Sequence, residues 1–155
     1  MTLRYLLDTN IISEPLRPVP NANVMTKLIE AKSTVAIASI VWHEVLFGCY
    51  RMPDSNRRRA IEVYLQEEVK AKLPILPYTQ EAAEWFAQER ARLFSIGLTP
   101  SYVDGQIAAI AKVNNLILVT RNVSEYANFQ DLQSKTGLIN LVKYSSLKNQ
   151  VCRIA

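Results

Sequence analysis

Only two cysteines occur in the 155 residues, Cys49 and Cys152, far apart and in no metal-ligand spacing. Neither a disulfide framework nor a zinc ribbon is therefore indicated. Cys49, beside Phe47 and Tyr50, reads as a small buried hydrophobe. The single histidine, His43, leaves a Ser-His-Asp or Cys-His site with one possible centre and no supporting motif. The four glycines, Gly48, Gly97, Gly105 and Gly137, are scattered, so no phosphate-cradling loop or dinucleotide fingerprint is present. Long apolar runs are missing too: Val35–Ala38 and Leu116–Val119 are far too short to span a bilayer. Met1–Tyr5 lacks the basic-then-apolar layout of a secretory leader, so the expected location is the cytoplasm.

What is present is a chain with a net charge of +4, a weak indication of a polyanionic partner. No repeat or linker divides it, and a single domain is expected over residues 1–145, with a C-terminal tail at 146–155. Short apolar runs alternate with longer amphipathic ones, the pattern of a parallel α/β sheet flanked by helices. Strands are expected at Leu3–Leu7, Thr34–Ala38, Leu116–Val119 and Leu138–Val142, and Pro74–Pro77 reads as a short strand or an extended link. Helices are expected from an N-cap at Ser39 through Tyr50, over Ser55–Leu73, and from an N-cap at Thr79 to an end before Gly97. A further helix is expected from an N-cap at Thr99, with Pro100 at its first position, through Val113.

Most acids lie among Arg, Lys and Gln on the long helices and belong to solvated faces, Glu62, Glu67, Glu68, Glu81, Glu84 and Glu89 among them. The run Arg57-Arg58-Arg59 reads equally as a solvated helix start or as a phosphate-holding patch. Three acids break the pattern. Glu44 sits in the nearly continuous apolar helix Ile40–Gly48, and Asp104 shares a stripe with Ile107, Ala108 and Ala111. Asp8 ends the apolar run Leu6-Leu7 at the carboxyl end of the first strand. A buried unpaired carboxylate costs on the order of several kcal/mol, against roughly 5–15 kcal/mol of stability for a whole domain. Three become tolerable if they converge on one cation, and the crevice at the carboxyl ends of parallel strands is where they could meet.

Each acid also has a structural alternative. Asp8 could cap a short helix beginning at Ile11, Glu44 could pair with Arg51 or an arginine from elsewhere, and Asp104 could take part in a cap with Thr99 and Ser101. A carboxylate cluster free of Cys and His suits the hard cations Mg²⁺ or Mn²⁺. The reaction such a site does well is hydrolysis of a phosphodiester by an activated water.

The segment Leu6-Leu7-Asp8-Thr9-Asn10-Ile11-Ile12-Ser13 resembles the opening strand of PIN-domain nucleases. Its continuation Glu14-Pro15-Leu16-Arg17-Pro18 is similar to the FitB-like branch of VapC toxins. Val41–Gly48 resembles the family's second motif, with Glu44 at its acidic position. Asp104–Ala111 and Leu118–Asn122 resemble the third and fourth, in family order. The resemblance implies a PIN-like three-layer fold with a central, mostly parallel sheet of four to five strands. It implies Mg²⁺- or Mn²⁺-dependent cleavage of RNA, an antitoxin that occupies the active site, and a homodimer. Carried over by position, Asp8, Glu44 and Asp104 are metal ligands, while Thr9 and Thr120 steer the carboxylates by hydrogen bonds.

The fourth acidic position holds the neutral Asn122, with Glu125 three residues on as the other candidate. Less negative charge predicts one well-bound ion in the free protein and a second that needs substrate phosphate. The expected function is a toxin endoribonuclease. Its rival is a catalytically weak PIN-like binding module that works with an antitoxin in a DNA-bound repressor complex.

Overall fold

The computed structural model describes residues 2–129 and Leu132. Four parallel strands form one sheet in the order β3-β2-β1-β4. They are β1 (Tyr5–Leu7), β2 (Val35–Ala38), β3 (Ile75–Leu76) and β4 (Ile117–Val119). The register places Leu6 between Ala36 and Leu118, and pairs Ala38 with Leu76. Every residue of β2 is buried, because an inner strand of a parallel sheet is covered on both faces and needs no polar alternation. Pro74 and Pro77 bracket β3 at the sheet's edge, where a missing backbone donor costs little. The expected strand at Leu138–Val142 and the C-terminal tail lie outside the described residues.

Seven α-helices flank the sheet among the described residues: α1 (Thr9–Ile12), α2 (Ala22–Ala31), α3 (Ser39–Tyr50), α4 (Asn56–Tyr64), α5 (Gln80–Ser95), α6 (Tyr102–Val113) and α7 (Val123–Tyr126). A 3-10 turn at Glu14–Leu16 follows α1. The helix expected over Ser55–Leu73 begins on the Ser55 cap but loosens into a π-helical segment at Leu65–Lys70, which turns Leu65 and Val69 into the core. Ser39 is the first residue of α3 rather than its cap; Ala38 occupies the cap position. Helix α2, with Asn21 as its cap, was not anticipated from the sequence. Gly97, with φ of 79°, adopts the left-handed conformation expected just past the end of α5.

The strand order creates the site. The chain passes from β1 to β2 and β3 on one side, then returns to the other side of β1 as β4. The boundary between β1 and β4 is thus the switch point of the sheet, where crevices open at the carboxyl ends of strands. Helix α6 ends just before β4 begins at the opposite edge, so its N-terminal turn lies on the crevice side.

Candidate active site

Asp8 follows β1 directly. Its backbone N–H continues the ladder to Val119 O at 3.0 Å, and its side chain caps α1, with Oδ1 accepting from Thr9 N at 2.7 Å. The other oxygen, Oδ2, accepts the Thr120 hydroxyl at 2.7 Å across the switch point. The helix-capping alternative and the cluster therefore coexist: one oxygen caps, and the second faces the crevice.

Asp104 occupies the third position of α6. The cap here is Ser101, not Thr99, and Pro100 lies outside the helix. Ser101 Oγ accepts from the Asp104 backbone N–H at 3.4 Å, which leaves the carboxylate itself unengaged by the cap. That carboxylate accepts from the Tyr126 hydroxyl at 3.2 Å, and the same hydroxyl lies 3.4 Å from Asp8 Oδ2. Tyr126 thus brings together two acids that are 96 positions apart in the chain.

Glu44 is half-buried on α3, and its Oε2 accepts the Thr9 hydroxyl. The arginine alternative is not realised: Arg51 lies over the Phe47 ring, 5.7 Å from its centroid. His43 is exposed and stacks on Phe47, away from the acids.

The electrostatics follow from this packing. Burial raises the Asp8 carboxyl above its ordinary range; hydrogen bonds from Thr120 and Thr9 oppose the rise, and the negative charges of Asp104 and Glu44 add to it. Burial, then the charges of Asp8 and Asp104, push the Tyr126 hydroxyl far up, so it remains a proton donor throughout the physiological range. Crowded carboxylates with no basic group hydrogen-bonded to them among the described residues are a setting in which a cation is favoured.

As placed, no three His, Cys, Asp or Glu side chains among the described residues enclose a metal-sized space. Glu44 is turned onto Thr9, and the pair Asp8–Asp104 remains. Mg²⁺ commonly takes one or two carboxylates and keeps its waters, so this oxygen-only pair fits such an ion. Of the two fourth-position candidates, Glu125 lines a cavity of about 270 Å³ together with Asp104, Ser101 and Phe129. Asn122 is exposed and does not line that cavity; its backbone N–H donates to Thr120 Oγ1 at 3.1 Å. A larger cavity of about 410 Å³ lies against α2 and the strands, but none of the clustered acids lines it.

Sequence reasoning missed Tyr126, Glu14 and Arg121. Tyr126 has no local signal, being one aromatic residue in a four-residue helix. Glu14 is fully buried beside a proline and pairs with Arg121, a contact between residues more than a hundred positions apart.

An open parallel sheet with an acidic cluster at its switch point defines the protein as an α/β domain with a carboxylate-lined crevice. The chain belongs to the PIN domain family, which residues 5–128 match. It is similar to Toxin FitB of Neisseria gonorrhoeae, 32% identical over 124 residues that cover 78% of this chain and 89% of that one. VapC ribonuclease Y4jK of Sinorhizobium fredii is 31% identical over 125 residues, covering 78% and 89% respectively. The solved structure of FitAB bound to an IR36 DNA fragment superposes with a TM-score of 0.76 at 29% identity, covering 81% of this chain and 90% of that one. No helix among the described residues is long and apolar enough to cross a membrane.

Proposed function

We propose that the chain is a divalent-metal-dependent endoribonuclease, the toxin of a toxin–antitoxin pair acting in the cytoplasm. The observation that carries this is the meeting of Asp8 and Asp104 on the Tyr126 hydroxyl at the sheet's switch point. Kinship with FitB and with a VapC ribonuclease supports the choice of RNA as substrate and an antitoxin as partner. A homodimer is part of the same reading.

Asp8 and Asp104 would hold Mg²⁺ or Mn²⁺. A cation of this kind supplies neutralisation of phosphodiester charge and acidity for an attacking water. The protein's own contribution is positioning. Thr120 and the Thr9 backbone fix both oxygens of Asp8, so the carboxylate needs little reorganisation to bind. Thr9 fixes Oε2 of Glu44, and Oε1 would serve as the proton acceptor. Glu125 and Asn122 are the candidates to support a second ion once a substrate phosphate adds its charge.

The deciding experiment compares RNA cleavage in Mg²⁺ by wild type, Asp8→Ala and Asp104→Ala. The reading expects loss of about 100-fold or more in each variant. Equal rates in all three would overturn it and favour a non-catalytic binding module instead.

A further inference from the structure

Outside the acid cluster, a second set of polar groups converges on Glu14. Its fully buried carboxylate accepts from the Arg121 guanidinium, from Arg17 Nη1 at 3.4 Å and from the Asn21 backbone N–H at 2.7 Å. Arg121 directly follows Thr120. Its backbone N–H donates to Asn10 Oδ1 at 3.1 Å, so it is held at both ends by the segment that follows β1.

The consequence falls on Thr120. A hydroxyl has one proton and two lone pairs. Here Asn10 Nδ2 donates to Thr120 Oγ1 at 3.4 Å and the Asn122 N–H donates to it at 3.1 Å. With both acceptor positions taken, the proton has one remaining direction, and Asp8 Oδ2 lies there at 2.7 Å. Asn10, Arg121 and Asn122 set the orientation of that hydroxyl, and the Glu14–Arg121 contact fastens the loop that carries all but the first of them.

We propose that the buried Glu14–Arg121 pair is a positioning device for Asp8, anchoring the loop after β4 so that Thr120 presents its proton to the carboxylate. Arg121 and Glu14 are positioning residues; neither is placed on the reacting atoms. The inference rests on the reading of Asp8 as a cation ligand.

Two physical points support a role beyond fastening. An apolar pair of similar volume generally holds two segments as well as a buried ion pair or better, because no charge is desolvated. The pair also leaves Arg121 Nε buried without an acceptor, the one such side-chain atom among the described residues. A planar guanidinium fork gives direction, which an apolar contact does not. Directing a hydroxyl onto a ligand carboxylate needs that direction.

The test uses the full chain without substrate, titrated with Mn²⁺ by calorimetry, with folding followed by thermal melts. The variants are Glu14→Leu/Arg121→Met, which removes both charges at similar volume, Arg121→Lys, which keeps charge but loses the fork, and Thr120→Val. The double variant is expected to fold and to bind Mn²⁺ about 10–100-fold more weakly. Thr120→Val should show a similar loss, and combining it with the double variant should add little, since both act through one hydrogen bond. A folded double variant with wild-type affinity overturns the inference alone. Should the double variant not fold, Arg121→Lys decides: weaker Mn²⁺ binding supports the inference, and wild-type binding overturns it. A wild-type chain that binds no Mn²⁺ overturns the cation reading, and this inference with it.

Discussion

Gly105 and Phe86 are packed so closely that a β-carbon on residue 105 would overlap the Phe86 ring. Phe86 is 2% exposed on α5, so its ring must shift within packed surroundings to admit a methyl group. This contact seats the first turn of α6 against α5 and thereby places Asp104, the preceding residue, at the crevice. Gly105→Ala is expected to cost about 1–3 kcal/mol through overpacking. It should also lower Mn²⁺ affinity, because Asp104 moves with the helix. Urea denaturation alongside metal titration checks both; a variant unchanged in both would show that α6 accommodates the methyl group.

The burial of Asp8 makes stability pH-dependent in a direction that can be worked out. Its folded-state carboxyl titrates above the ordinary aspartate value. Between those two values the folded chain holds a proton that the unfolded chain has released, so raising the pH through this window costs stability. Above the folded-state value the cost is complete. In metal-free buffer the melting temperature of Asp8→Asn relative to wild type should therefore rise across the window, on top of a constant cost where the amide NH2 meets the Thr120 and Tyr126 donors. Mg²⁺ should erase the difference by stabilising the ionised wild type. Melts across pH, with and without Mg²⁺, supply the measurement, and a wild type that gains on the variant as pH rises would contradict this sign.

The single proton of Tyr126 serves two carboxylates, at 3.2 and 3.4 Å. Tyr126→Phe should destabilise the metal-free protein by about 1 kcal/mol. The gap should narrow in saturating Mg²⁺, because the cation then takes over much of what the hydroxyl does between the acids. A gap that is the same with and without Mg²⁺ would mean that the hydroxyl does not share the acids' charge problem.

Thr9 joins two roles: its backbone N–H meets Asp8 and its hydroxyl meets Glu44. Thr9→Val removes only the second. Cleavage should fall about 10–100-fold, with Thr9→Ser restoring it. Failure of Ser to rescue would point to the methyl group's packing in place of the hydroxyl.

At the fourth position, a substrate-free titration of wild type should reveal one ion, and Asn122→Asp should strengthen a second by adding negative charge near the site. Glu125→Gln should weaken whatever second binding an RNA substrate induces, since Glu125 shares the cavity that Asp104 lines. Two tight ions in the substrate-free wild type would be incompatible with this arrangement.

Local pattern alone carried a good part of this protein. The apolar runs around Leu6, Ile37 and Leu118 marked β1, β2 and β4, because strands of a parallel sheet are covered on both faces. Asp8, Glu44 and Asp104 stood out because each interrupts an apolar pattern, and an exposed acid has no reason to do so. Glycine and cap chemistry marked the ends of α5 and the start of α4 to within a residue. The start of α6 was misplaced by two residues, since Thr99 and Ser101 carry equivalent capping hydroxyls and only packing chooses between them.

The relations among the acids were settled by tertiary structure. Strand order put β4 beside β1, and with it Thr120 on Asp8; nothing in either segment specifies its neighbour. The same assembly turned Glu44 onto Thr9, placed Tyr126 between Asp8 and Asp104, and buried Glu14 against Arg121. Hydrophobic periodicity records which face of a segment is covered. It does not record by what, and a hydrogen bond spanning a hundred residues exists only once the sheet has brought its two ends together.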